Sequence, residues 1–159
     1  GMEFSTRQDI EAPINFVFDE VTNFSTFERQ ALRRGADVQR RDTLEQPGIG
    51  VGWDVTFSFR GKDRHISAEI TEFDRPNAYR VESVASTIDA DLVVDLVPLS
   101  KGRTRLSITM KLSAKNLGAK LMLQSLKVAN SSLNSRFSNR VAMFAKEVAE
   151  KHARRVAGS

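Results

Sequence analysis

The sequence predicts an α+β fold: a curved antiparallel sheet of about six to seven strands wrapped around one long C-terminal helix, with two short helices after the first strand. Three observations carry this expectation. From Leu117 to Ala157 there is no proline and only one glycine, Gly118, so a single long helix is the simplest reading. From about Val51 to Leu112, apolar and polar residues alternate through several Gly-punctuated turns, the pattern of a meander with one buried face. Between the first strand and this meander, Pro13 and Gly35 bracket two short segments with helical character.

Met2 to Asp9 alternates and forms the first strand. Pro13 suits the first turn of a helix, where its missing N–H is not needed, and Ile14, Val17, Phe18 and Val21 follow at helical spacing. A second helical segment runs from Phe24 to Arg34 and stops at Gly35. Ala36 to Thr43 is expected to be a strand, followed by the turn-rich Gln46-Pro-Gly-Ile-Gly50. Val51, Trp53, Val55, Phe57 and Phe59 share one face of the next strand, which Gly61-Lys-Asp63 turns into Ile66, Ala68 and Ile70. Pro76-Asn77 makes another turn, after which Tyr79, Val81, Ser83 and Ala85 alternate, then Ile88 to Leu96. Ser100-Lys-Gly102 leads into Leu106 to Leu112.

The final helix carries a stripe at Leu123, Leu126, Asn130, Leu133, Phe137, Val141, Phe144 and Val148. A helix from Leu117 to Arg155 would span about 58 Å at 1.5 Å per residue, against a radius of gyration of about 15 Å for a domain of this size. A bend near Ser131-Ser132 or a projecting end is therefore expected. The segment Lys127 to Ser135 is poor in large apolar side chains where the helix should cross the sheet, which predicts a hollow beneath it.

Length and composition bound the rest. The 159 residues suit one domain, taken as 2–157, and 40% apolar with 28% charged residues is the composition of a soluble protein. Met2-Glu-Phe-Ser-Thr lacks the basic and apolar regions of a secretory signal, and the chain has no cysteine, which fits a cytoplasmic protein without disulfides or thiolate metal sites. Residues 1–110 carry 14 Lys/Arg against 18 Asp/Glu, whereas residues 111–159 carry 10 Lys/Arg against Glu147 and Glu150 alone. This basic helix is either a solvated outer face or a surface for an anionic membrane or acidic partner. Its charges are spread along the whole length, and no nucleic-acid partner is expected.

Several motifs occur in a telling order: Ile10-Glu-Ala-Pro13, Val17-Phe18, Val21-Thr-Asn-Phe24, Gly52-Trp53, Phe73-Asp-Arg-Pro76, Leu99, and Gly102-Arg-Thr-Arg-Leu106 ahead of the long helix. With them the chain resembles the helix-grip fold of the START-like superfamily, which includes polyketide cyclases, plant pathogenesis-related proteins, lipid-transfer domains and coenzyme-Q-binding proteins. The resemblance covers nearly the whole chain and implies a START-like ligand-binding domain. Phe27-Glu-Arg-Gln30 lacks the tryptophan that many relatives carry after the first helix, so one wall of the entrance is expected to differ.

Ionisable groups offer little for catalysis. His65 alternates with Ile66 and faces water, His152 lies in the charged tail, and Asp89, Asp91 and Asp95 share the face opposite Ile88, Leu92 and Val94. A zinc site is not expected, nor is any cofactor. There is no Gly-x-Ser-x-Gly elbow, and Gly48-Ile-Gly50-Val-Gly52 lacks the lysine and following helix of a phosphate loop. The inward set is apolar with a few polar points, and the expected ligand-lining residues are Trp53, Val55, Phe57, Tyr79, Val81, Ser83, Leu92, Ile108, Asn130, Leu133 and Phe137. The polar members either satisfy one another in a packed core or orient a ligand, with Tyr79 and Asn130 as anchors. The leading expectation is a carrier for a hydrophobic small molecule such as a lipid, isoprenoid or polyketide. The exposed cluster Leu121, Met122 and Leu123 would assist at an anionic membrane. A cyclase or dehydratase with Tyr79 as acid is one alternative, and a protein-interaction module with a filled interior is another.

Overall fold

Seven strands, β1 (Met2–Ile10), β2 (Asp37–Arg40), β3 (Gly52–Phe59), β4 (Lys62–Asp74), β5 (Ala78–Val84), β6 (Ile88–Ser100) and β7 (Arg103–Ala114), form one antiparallel sheet in a computed structural model that describes residues 1–159. Their order across the sheet is β1-β7-β6-β5-β4-β3-β2, so every sequential pair from β2 to β7 is a hairpin neighbour and β1 closes on β7. Two helices, α1 (Ile14–Val21) and α2 (Phe24–Arg33), connect β1 to β2, and α3 (Leu117–Val128) and α4 (Asn130–Ala157) end the chain. The expected α+β architecture is present, with all seven strands in a single sheet.

Alternation places each row of register partners on one face. Thr6, Ile108, Val94 and Tyr79 form one such row across β1, β7, β6 and β5. Leu106 and Leu96 belong to the row on one side of it; Phe4, Met110, Leu92 and Val81 form the row on the other. All of these face the helices. The predicted turn at Gly61-Lys-Asp63 lies one residue earlier: Arg60 and Gly61 have φ of 51° and 76°, and Phe59 pairs directly with Lys62. Two positive φ values between paired strands are those of a type I′ hairpin, which glycine adopts without strain. The strand expected over Ala36–Thr43 is shorter, Asp37–Arg40.

The long C-terminal helix is broken. Ala129, with φ −100° and ψ 16°, ends α3 and precedes α4, two residues before the expected bend. Serine and asparagine compete for backbone hydrogen bonds, and the only large apolar side chains of the Lys127–Ser135 segment are exposed Val128 and half-buried Leu133, too few to clamp a straight helix onto the sheet. The break also ends the continuous stripe. Asn130 is exposed at the start of α4, not turned inward as the spacing suggested.

The core lies at one end of the concave face. Ile10, Leu106, Leu96, Ile70 and Val51 meet Val17, Phe18 and Val21 of α1 and Val141, Ala145 and Val148 of α4, all buried. Phe18 is fully enclosed, with Phe73 at 5.4 Å and Tyr79 at 6.4 Å between ring centroids. Lys151 of α4 pairs with Glu20 of α1 at 2.9 Å, which fixes the C-terminal half of α4 over this core. α4 packs mainly along β1, where Phe137 meets Phe4 at 6.3 Å. It therefore lies to one side of the concavity. Val55, Phe57, Ile66, Leu92 and Met110 remain only half-buried on the inner face.

Candidate functional site

The register row that borders the packed core is the floor of a cavity. Tyr79, Val94 and Ile108 stand side by side on β5, β6 and β7, and Val21 closes the end nearest α1. One wall comes from α2 and its C-cap Arg34: Phe27 lies three and four residues before Gln30 and Ala31, which lie four and three before Arg34, so the four share a face, joined by Arg33. The other wall is the matching face of α4, with Arg136, Asn139, Arg140, Met143, Phe144 and Glu147, and with Val141 below. Phe27 and Phe144 approach to 5.8 Å between centroids and join the two walls. The space between them, open to solvent at one side, is about 940 Å³, within the range of small-molecule pockets.

Polarity changes with depth. Val21, Tyr79, Val94 and Val141 are buried, whereas Gln30, Arg33, Arg34, Arg136, Asn139, Arg140 and Met143 are exposed and mark a mouth between the two helices. Nine of the sixteen lining residues are hydrophobic; a recess of about 320 Å³ beside the 41–51 loop has only three of twelve. An apolar ligand is better matched by the first. The hollow exists, but beneath Arg136–Glu147 of α4 and not beneath Lys127–Ser135 as the sequence suggested.

The polar groups at the site are largely committed. Tyr79 donates its hydroxyl to the Val21 carbonyl at 2.7 Å, and burial pushes its pKa up. It ties β5 to the end of α1 and offers no free proton to the cavity. The Trp53 indole N–H donates to Glu28 Oε2 at 3.1 Å, and its ring meets the edge of Phe24 at 5.2 Å. Glu28 also receives Arg40 at 3.4 Å. Arg40 in turn holds the Asp42 carboxyl well below the usual carboxylate range, with help from the Gly52 and Leu44 amides. Together these bonds set α2 over β2 and β3 and keep that wall away from the sheet's centre.

Of the sequence-predicted lining residues, Tyr79 and Ile108 are in the cavity. Trp53 serves as the anchor of α2. Val55, Phe57, Val81, Ser83 and Leu92 share the concave face but lie beyond the floor row. Leu133 and Phe137 are half-buried on α4 outside the lining, and exposed Asn130 does not meet Tyr79. Sequence reasoning missed the α2 wall and the charged α4 wall, although the spacing of Phe27, Ala31 and Arg34 carried the signal. His65 is exposed and bonded to Thr56 at 2.9 Å, His152 packs edge-on to Phe16 at 5.0 Å, and Asp91 and Asp89 pair with Arg80 and Lys115. No group of three or more histidine, aspartate or glutamate side chains is placed to hold a metal ion.

No protein-family model and no curated protein matches this sequence. Solved structures do match it. The Zhui aromatase/cyclase from Streptomyces sp. R1128 superposes with a TM-score of 0.61 at 14% identity, over 98% of this chain and 95% of its own. Norcoclaurine synthase from Thalictrum flavum gives 0.63 at 12% identity, over 94% and 95%. A START superfamily protein from Mycobacterium smegmatis gives 0.55 at 12% identity, over 86% and 97%. The fold is the START-like helix-grip fold. In this chain α4 packs mainly along β1 and α2 supplies the facing wall, so the cavity opens between α2 and α4.

Proposed function

We propose that this chain is a binding or carrier protein for a hydrophobic small molecule, held on the Tyr79–Val94–Ile108 floor between α2 and α4. The observation that carries this reading is the cavity of about 940 Å³ with an apolar floor and an open mouth. Moving apolar surface out of water contributes roughly 25 cal/mol per Å², so a lipid-, isoprenoid- or polyketide-sized body gains enough there to bind without a built catalytic centre. The protein-interaction alternative called for a filled interior, which this is not.

The matched structures include an aromatase/cyclase and norcoclaurine synthase, which keeps a cyclase-like reaction as the alternative. The acid first in line for it, Tyr79, has its proton engaged by Val21 and its ionisation opposed by burial. Binding is therefore the better-supported reading. The experiment is a titration with the neutral probe N-phenyl-1-naphthylamine, together with native mass spectrometry of the purified protein. Saturable, blue-shifted emission at one site per chain is expected; an emission no different from that of buffer would contradict the reading.

Peripheral contact with an anionic membrane belongs to the same proposal. Leu117, Leu121 and Val128 of α3 are 73%, 58% and 91% exposed, and Lys120 and Lys127 lie among them. Leu123, expected to be part of this patch, is instead buried against the sheet and is replaced in it by Leu117 and Val128. No helix is long and apolar enough to cross a membrane. Cosedimentation with acidic vesicles is expected to fall as salt screens these charges. Equal sedimentation with neutral vesicles would remove this part of the proposal.

A further inference from the structure

The mouth of the cavity has an unusual charge pattern. Arg33 and Arg34 from α2 face Arg136 and Arg140 from α4 across it, and Glu147 is the only acidic residue in the lining. None of the four arginines makes an ion pair or a side-chain hydrogen bond. Six of the sixteen arginines, Arg40, Arg41, Arg75, Arg80, Arg103 and Arg105, are each paired with a carboxylate, and the four at the rim are among the ten that are not. The nearest acid on α2, Glu28, is committed to Trp53 and Arg40. On the α4 side, no aspartate or glutamate occurs anywhere between Asp95 and Glu147. The rim therefore carries four guanidinium groups that the chain does not neutralise.

We infer that the ligand is an amphipathic anion, with an apolar body on the Val94–Ile108 floor and a carboxylate-type head among Arg33, Arg34, Arg136 and Arg140. The inference rests on the carrier reading and deepens it. The floor has no open donor for a charged head, because the Tyr79 hydroxyl is spent on Val21, and burying an unpaired anion there is strongly unfavourable. The mouth has the opposite character. Guanidinium groups are weakly hydrated and bind carboxylates in a two-point fork, and beside the low-dielectric wall of a cavity that attraction is stronger than in open water. Head-out, tail-in is the one orientation that satisfies both ends.

The test compares dodecanoate with dodecanol as competitors of N-phenyl-1-naphthylamine, in the full chain and in an Arg136→Gln/Arg140→Gln variant. The full chain is expected to favour dodecanoate at least tenfold, with a preference that shrinks as salt is added. The variant is expected to lose most of that preference, read as the ratio of the two affinities. Arg33→Gln/Arg34→Gln gives an independent second variant on the opposite wall. Dodecanol binding as tightly as dodecanoate to the full chain, or a ratio unchanged in both variants, would overturn the inference. Displacement of the probe by inorganic phosphate alone would also overturn it, by showing a site for free anions. If the probe itself fails to bind, the carrier reading falls; if it binds without any carboxylate preference, only this inference does.

Discussion

Truncating Phe18 to alanine is expected to destabilise the protein by about 3–5 kcal/mol, the range for removing a large aromatic from a filled core. Phe18 has no exposed surface and is shared between α1 and the sheet, with Phe73 and Tyr79 against its edges and the Arg75 guanidinium 4.8 Å from its ring centre. Its loss would leave a void that main-chain shifts cannot close, because α1 is held by the Tyr79–Val21 bond on one side and the Glu20–Lys151 pair on the other. At roughly 2–4 °C per kcal/mol for a chain of this size, the melting temperature should drop by well over 5 °C. Urea denaturation gives the same quantity independently. A loss below about 1 kcal/mol would show that α1 is not the centre of the core.

The second large effect is on binding. Ile108→Trp places an indole in the middle of the floor, where Ile108 is half-buried and faces the open cavity. Affinity for N-phenyl-1-naphthylamine should fall at least tenfold. Stability should suffer less than the about 1–3 kcal/mol typical of overpacking a filled core, since the new ring enters space that is already empty. Ala31→Trp, on the α2 wall, should act in the same direction from the opposite side. The two sets of variants thus separate the two ends of the concave face: Phe18 governs folding, and Ile108 governs occupancy. Undiminished affinity in both tryptophan variants would place the ligand elsewhere.

Much of the architecture was legible in the sequence because period-two alternation survives wherever one face of a strand is buried and the other is wet. Val51 to Phe59 and Tyr79 to Ser83 are examples, and both face the concavity as expected. Helix existence was equally clear, but continuity was not. Nothing in the 3.6-residue spacing of Leu126, Asn130 and Leu133 shows that the backbone leaves helical geometry at Ala129, because the break comes from weak packing and not from a proline or glycine. An unbroken helix would turn Asn130 inward with Leu126 and Leu133; the break at Ala129 leaves it exposed. The cavity required information that no single element contains. Its floor depends on the register that sets Tyr79 beside Val94 and Val94 beside Ile108, and its wall depends on α2, which Trp53 and Glu28 draw over the sheet through a bond spanning twenty-five positions. Arg33, Arg34, Arg136 and Arg140 are unremarkable surface residues until tertiary structure sets them around one opening.

The central claim is that a ligand occupies the space between the β5–β7 floor and the facing sides of α2 and α4. Methyl-resolved NMR of the full chain, titrated with N-phenyl-1-naphthylamine, tests it most directly. The account predicts the largest shifts at the methyls of Ala31, Val94, Ile108 and Val141, with little change at Val93 and Thr109 on the outer face. Shifts confined to Leu117, Leu121 and Val128 of α3, with the floor methyls unmoved, would contradict it.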